Sequence, residues 1–475
     1  MTNLLFITTD QQRWDSLPCY GLDFMQTPHL DRLAREGLVF ERAYTPAPIC
    51  VPARNALLCG QWPSTTGVLS NNHSLDPETP TWPPLLGEAG YLTAAIGKMH
   101  FIPFDNRRGF LERISAEDKR HTYLQDDFAK FLHNNGHERV HPTTNPGYFE
   151  SLGAPVTPLP KQFHVDGYTG DQAAQWLNRH GHEPFAAWVS FAGPHDPYDP
   201  PEEMAGMYDD APIPEPIGSR AELVNKPRAQ AKAGPEARKN PMFQIDPSQA
   251  TPEQYRRWRR HYYANISLID EQIGKIFAAL EATGSLERTL IIFTSDHGDA
   301  LGDHGLAFKR FYYESMAHVP LIIRGPGVAA GQRCAALVSL LDLVPLFFRT
   351  CGVTPPPTLE SADITPLLAD PSGAIRDLVF SENLGTTMVR DERYKYAHYD
   401  NSDCELYDLV TDPTEEHNLA SDPAHQGELL RMRAHILDHT LRTHQQRAKK
   451  MERAKEPARA RLDAAYARQR QQAQG

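Results

Sequence analysis

The chain has 475 residues, 40% hydrophobic and 23% charged, an ordinary globular composition long enough for one large domain with an appendage, or for two domains. Its formal net charge of -12 argues against a general nucleic-acid binder, because phosphate contacts need clustered cations. It leaves room for an anionic substrate held by a local field. No apolar run reaches the roughly 18 to 20 residues of a membrane span. The start, Met1-Thr2-Asn3-Leu4-Leu5-Phe6-Ile7, has no basic region and no cleavage site. It reads as a first strand, so the expected location is cytoplasmic, and periplasmic only if a signal has been removed.

In chain order, Leu4 to Thr9 is a short apolar and β-branched run ending at Asp10, as in a buried parallel strand. Thr27 to Gly37 reads as a helix with an N-cap and Pro28 in its first turn. Val39 to Tyr44 reads as a strand, Ala53 to Cys59 and Pro84 to Gly90 as helices, and Leu92 to Ile96 as a strand ending at Gly97-Lys98-Met99-His100. Residues 101–165 are polar, His-rich and weakly periodic, an irregular insertion of the kind that builds substrate pockets. Gly170 to Arg179 is helical, and Phe185 to Phe191 is a strand ending in Gly193-Pro194-His195-Asp196. Residues 199–252 are rich in Pro and Ala and read as a surface excursion. Glu253 to Thr283 is the longest helix, with Tyr262, Ile266, Ile269, Ile273 and Phe277 on one stripe, and Thr289 to Thr294 is an apolar strand followed by Ser295-Asp296-His297-Gly298.

This alternation predicts a doubly wound α/β domain over residues 1–374. A smaller α+β subdomain is expected over 375–446, with antiparallel strands at Met388 to Tyr399 and Glu405 to Val410 around Asn401-Ser402-Asp403 and a helix from about Gln426. Residues 447–475 form a basic tail, either a solvated helix or disordered, that leaves room for a homo-oligomer. The six cysteines lack disulfide or metal spacing and read as reduced thiols.

Polar clusters follow several predicted strands: Asp10-Gln11, Lys98 with His100, His195, and Asp296-His297. Sites in open α/β sheets form at the carboxyl ends of strands. Asp10, Gln11, Asp296 and His297 make a donor set for a divalent cation: the oxygens suit Ca²⁺, Mg²⁺ or Mn²⁺, and the imidazole adds weight to Mn²⁺ without removing Ca²⁺. The alternative is that the two aspartates cap helices. Cys50 is either a nucleophile beside a cation or a buried structural thiol. Arg54 is either a surface charge or an oxyanion clamp. Lys98 and Lys309 can neutralise developing charge, and His100 and His195 can act as acid and base.

Together these residues resemble the sulfatases of the alkaline phosphatase superfamily, over essentially residues 3–425. Cys50-Val51-Pro52-Ala53-Arg54 followed by Leu57-Leu58-Cys59-Gly60 is similar to the family signature C-x-P-x-R-x-x-L-x-x-G. Asp10-Gln11, Gly97-Lys98-Met99-His100, Pro194-His195, Thr294-Ser295-Asp296-His297-Gly298-Asp299 and Lys309 occur in the matching order. The resemblance implies an α/β fold with a large central mixed, mostly parallel sheet flanked by helices, and a sulfuric ester hydrolase acting on a small organic, aryl or sugar sulfate. It implies that a formylglycine-generating maturation enzyme converts Cys50 to 3-oxoalanine (formylglycine), and that Asp10, Gln11, Asp296, His297 and residue 50 hold one Ca²⁺ or Mn²⁺. One hydroxyl of the hydrated aldehyde would attack sulfur while Arg54, Lys98 and Lys309 hold the sulfate oxygens. His195, helped by Lys309, would protonate the departing alcohol. His100 would deprotonate the second hydroxyl to expel sulfate, and Asn71 would add a polar contact to the substrate.

Departures from the pattern refine the branch. Gln11, His297 and Ala53 resemble the choline-sulfatase and phosphonate monoester hydrolase branches more than sulfatases with Asp, Asn and Ser there. Lys98 and His100 favour the sulfatase side, since the phosphonate hydrolases usually lack that pair. The alternative is a phosphonate monoester or phosphodiester hydrolase using the same site.

Overall fold

The computed structural model describes the backbone of residues 1–472 and, apart from residue 401, the side chains of residues 1–452. Eight strands form the central sheet: Asn3–Asp10 (β1), Leu38–Tyr44 (β2), Leu92–Gly97 (β3), Glu112–Ser115 (β4), Phe185–Pro194 (β5), Thr289–Ser295 (β6), His318–Arg324 (β7) and Gln332–Ser339 (β8). Their order is β4-β3-β5-β1-β6-β7-β2-β8. β7 is antiparallel to both neighbours, and the remaining pairs are parallel. This is the mixed, mostly parallel sheet that the family resemblance implies.

All eight residues of β1 are buried, the signature of a strand covered on both faces. Leu4 and Phe6 join one core and Leu5 and Ile7 the other, as the two-residue period of a strand requires. On the first face, Phe6 lies 5.2 Å from Trp188 and 5.0 Å from Phe347 between ring centroids. Helices Cys50–Cys59, Trp82–Glu88 and Leu343–Thr350 cover that side. Helices Val165–His180 and Pro252–Ala282 cover the other, and the predicted stripe from Tyr262 to Phe277 is buried there. Helix Pro28–Glu36 starts after Thr27, as expected, but Thr27 makes no side-chain cap. Asp270, on the long helix, accepts the N–H groups of His29 (3.2 Å) and Leu30 (2.7 Å) instead. A tertiary carboxylate thus takes over the local cap.

Several expectations give way. Residues 101–165 are not wholly irregular, because they hold β4 and the helix Asp127–Asn134, capped by Asp126. β4 reads Glu-Arg-Ile-Ser with only Ser115 buried, so it carries no apolar alternation to announce it. The excursion over 199–252 contains the helix Arg228–Lys239 with Pro235 inside it. The second sheet comprises Val379–Asn383 (β9), Thr386–Arg390 (β10), Tyr394–His398 (β11) and Cys404–Asp408 (β12), antiparallel in the order β12-β11-β10-β9. The single strand expected over Met388 to Tyr399 is two, because Asp391 Oδ1 accepts the N–H groups of Arg393 (2.8 Å) and Tyr394 (2.6 Å) and turns the chain. The helix Gln426–Gln472 runs without a break through the start of the expected tail, of which residues 473–475 lie outside the described residues.

The carboxyl ends of β1, β3, β5 and β6 open onto one edge, and the close approach of β3 to β5 there depends on Gly97. It has φ +92°, and a Cβ on it would meet the Ser190 carbonyl oxygen at 2.0 Å. Gly90 has nearly the same φ, +91°, with nothing within 4 Å. Gly90→Ala should therefore lose about 1 kcal/mol, the backbone penalty alone. Gly97→Ala should lose roughly 3 to 5 kcal/mol, since the strands must also separate. Urea unfolding of the two variants measures the difference, and equal losses would contradict the packing argument.

Candidate active site

The site begins with a helix N-terminus. Cys50 is the first residue of the helix Cys50–Cys59, which follows the turn after β2. Pro52 is tolerated in this first turn because its missing N–H has no helical acceptor there. Arg54 stands one turn after Cys50, so the four-residue spacing puts both side chains on one helix face. That face meets the carboxyl ends of β1 and β6. Cys50, Arg54, Asp10 and Lys98 have no exposed surface.

The donor atoms of Asp10, Cys50, Asp296 and His297 all lie within 4.8 Å of one another. Cys50 Sγ is 3.2 Å from His297 Nε2 and 3.7 Å from Asp10 Oδ1, and Lys309 Nζ donates to it at 2.9 Å. Lys98 Nζ bridges Asp10 Oδ2 (2.9 Å) and Asp118 Oδ2 (3.0 Å). Burial pushes the Cys50 thiol up, but Lys309, His297, Lys98 and a hydrogen bond from His100 outweigh it and hold the thiol well below its ordinary range. Burial and Cys50 also push Asp10 up, and Lys98, Lys309 and His195 overcome them, so Asp10 stays below the usual carboxylate range. Asp296 moves the other way, raised by burial and by the neighbouring Asp10 charge. Two carboxylates this close cannot share one environment, and the pair splits.

Gln11 fits the set by what is left over. Its Nε2 donates to Asp299 Oδ2 at 2.5 Å and to Asp196 Oδ1 at 3.3 Å. Its Oε1 is buried with no donor. A buried amide oxygen without a partner is costly unless a cation takes it. Asp299, raised to about 6 mainly by burial, is itself fixed by Tyr198 Oη at 2.7 Å. Two carboxylate residues, an amide oxygen, an imidazole and the group at position 50 form an oxygen-rich donor set suited to a divalent cation.

Arg54 departs from expectation. Its Nε donates to Asp296 Oδ2 (2.8 Å), Nη2 to Asp10 Oδ2 (3.1 Å), and Nη1 to the Lys98 carbonyl (2.6 Å) and Ser190 Oγ (2.8 Å). It orients the carboxylates, and the direct grip on sulfate expected from sequence gives way to that task. His195 also departs. Its Nδ1 contacts the Asp196 carbonyl at 2.6 Å, and Arg120 Nη2 donates to its Nε2 at 3.1 Å. Burial and the cations Lys309, Lys98 and Arg120 lower its pKa, so its outward nitrogen is an acceptor where an acid was expected. Asn71 Oδ1 accepts the Val51 N–H at 3.1 Å and so steadies the first turn of the Cys50–Cys59 helix, which commits the oxygen expected to face substrate.

The insertions supply what the sequence motifs omit. Glu117 accepts the N–H groups of Met99 (3.3 Å) and His100 (3.0 Å), and His100 adopts φ +55°. Asp118 holds Lys98, Arg120 reaches His195, and Phe243 lies under the Arg120 guanidinium at 4.8 Å. The charged run Glu117-Asp118-Lys119-Arg120 was the available signal in an otherwise featureless stretch.

A family model described as Sulfatase matches residues 2–353, and one described as N-sulphoglucosamine sulphohydrolase, C-terminal, matches residues 302–442. The chain is 32% identical over 451 residues to the choline-sulfatase of Rhizobium meliloti, covering 89% of this chain and 83% of that one. It is 29% identical over 452 residues to the arylsulfatase of Clostridium perfringens, covering 88% and 90%. Among solved structures, the phosphonate monoester hydrolase of Agrobacterium radiobacter superposes with a TM-score of 0.81 at 26% identity, covering 93% of this chain and 96% of that one.

Removing the Arg54 guanidinium strips both buried carboxylates of a partner. In chelator-treated protein, Arg54→Ala should lower unfolding free energy by about 3 to 5 kcal/mol, read from denaturant midpoints at neutral pH. A loss below about 1 kcal/mol, the range of an exposed pair, would contradict the positioning role.

Proposed function

The chain belongs to the sulfatase family and hydrolyses sulfate esters, and from that premise we propose that it does so at the Cys50 cluster. Cys50 is the target of a maturation enzyme that converts it to formylglycine, and Asp10, Gln11, Asp296, His297 and residue 50 hold one divalent cation, Ca²⁺ or Mn²⁺. The observation that carries this reading is the buried, unpartnered Gln11 Oε1 beside a cluster of four potential ligands. When present, the cation would supply charge neutralisation for the carboxylates and acidity for a hydroxyl at position 50. The aldehyde would supply a hydrate with two hydroxyls, one to bond to sulfur and one through which the ester is released.

The protein's own residues do the rest. Lys309 Nζ, 2.9 Å from Cys50 Sγ, is placed to meet sulfate oxygens and to give a proton to the departing alcohol. Lys98 compensates Asp10 and presents the same charge to the substrate side. His195, held as an acceptor by Arg120, positions substrate and can pass a proton only after Arg120 releases it. His100, whose Nδ1 is buried without a partner, is the base for the second hydroxyl. The substrate is a small organic, aryl or sugar sulfate. Lys98 and His100 standing together beside residue 50 favour sulfate over phosphonate.

Protein produced with a maturation enzyme should show a mass shift confined to the Cys50 peptide, and Cys50→Ala should lose sulfate release by on the order of 10⁴-fold or more. Full activity in the alanine variant would refute the role of this residue. The ratio of kcat/KM for an aryl sulfate to that for a phosphonate monoester should favour the sulfate. Gln11→Leu should reduce the divalent metal retained through gel filtration at least about tenfold, read by elemental analysis. Unchanged metal content would remove Gln11 from the ligand set.

A further inference from the structure

The helix Gln426–Gln472 has two faces with the same spacing. Met432, Ile436, His439 and Thr443 are buried against the body of the protein. On the opposite face, Leu430, Ala434, Leu437, Leu441, His444, Ala448 and Met451 follow one another at alternating intervals of four and three, and all are exposed. Leu430 is 63% exposed, Leu437 59%, Leu441 52% and Met451 55%. Exposed apolar side chains at random positions need no explanation, but a continuous stripe with a 3.5-residue period is the seam of a coiled coil. The stripe runs about 32 Å along the helix at about 1.5 Å per residue.

The flanking charges select the occupant. With Leu437 and His444 at d positions, Arg433 and Arg447 fall at g and Asp438 and Glu452 at e. In a parallel, in-register pair each g position faces the e position five residues later on the partner helix. Arg433 then meets Asp438 and Arg447 meets Glu452, opposite charges both times. Arg447 now lies across Gly67, 3.2 Å from where a Cβ would be, and is exposed enough to turn. The buried face of each helix points away from the seam, so two bodies can sit on opposite sides of a twofold axis without collision.

We propose that a second copy of this chain covers the stripe, with the two C-terminal helices pairing in parallel. Alanines at two a positions and a histidine at d make the seam weak, so the dimer should dissociate on the order of micromolar concentrations.

Sedimentation velocity of the full chain across a concentration series tests this. Wild type should shift from monomer to dimer, and Leu437→Glu/Leu441→Glu should stay monomeric with an unchanged unfolding midpoint. Asp438→Arg should weaken the dimer about tenfold, and Arg433→Asp/Asp438→Arg should recover it. Met451→Cys should form a disulfide-linked dimer on oxidation, absent from wild type, because parallel pairing brings the two ends of the stripe together while antiparallel pairing sets Met451 against Leu430. A monomer at about 100 µM, a dimer indifferent to the glutamates, or failure of the Met451→Cys link would overturn the proposal. So would wild type that binds phosphatidylglycerol vesicles through the stripe and does not dimerise.

Discussion

A carboxylate with no exposed surface must be neutralised within its own surroundings or stay protonated, and Asp10 ends the central strand in that condition. It contacts Arg54 and the Cys50 thiol from one helix, and Lys98 and Lys309 from two further segments. Arg54 comes from a helix, Lys98 from the end of β3, and Lys309 from a loop beyond β6. The charge on Asp10 therefore ties four separate segments to one point. Asp296, at the end of the neighbouring strand, is bound into the same group through Arg54 and through the Gln11 N–H, which it accepts at 3.1 Å.

Such a group is stable only if its members are held in place by others, and the outer contacts here are dense. Asp118 and Arg120 fix Lys98 and His195, Glu117 fixes the backbone of His100, and Asp299 fixes the Gln11 amide. Removing one member leaves a buried charge alone, which explains why the insertion at 101–165 is packed against the carboxyl edge of the sheet and not left as a surface loop. The same contacts change the roles of Arg54 and His195. An arginine with four hydrogen bonds to protein acceptors serves the carboxylates, and a histidine receiving a bond from arginine at Nε2 is an acceptor at that atom.

The sheet was largely legible because its inner strands are continuous apolar runs with punctuation: Leu4 to Thr9, Phe185 to Phe191 and Thr289 to Thr294 all end in polar residues at one edge. β7 and β8 went unread. The former reads His-Val-Pro-Leu-Ile-Ile-Arg and holds a proline, and the latter opens on exposed Gln332 and Arg333. The motif residues stood out one by one because each follows a strand or opens a helix, but that Asp10, Cys50, Lys98 and Asp296 meet at one point is visible only in the fold. Their partners were not, because Glu117, Asp118 and Arg120 belong to a segment without period, and a salt bridge across 20 residues of such chain leaves no trace in local pattern. What Asn71 does was hidden for a related reason, since its oxygen serves a backbone N–H, a contact that side-chain logic does not anticipate.

The charge balance of the pocket connects these details to the substrate. The chain as a whole is acidic, at -12, yet around residue 50 the buried cations Arg54, Lys98, Lys309 and Arg120 match the carboxylates of Asp10, Asp296, Asp118 and Asp196 one for one. A divalent cation in the proposed site would tip that balance to positive. A low-dielectric wall around it keeps the field from being screened, so a sulfate monoester anion meets attraction at the site against a net repulsive molecule. Selectivity for an anionic group thus arises from where the few cations are buried, and the remaining acidic surface is free to disfavour polyanions that could not enter the pocket.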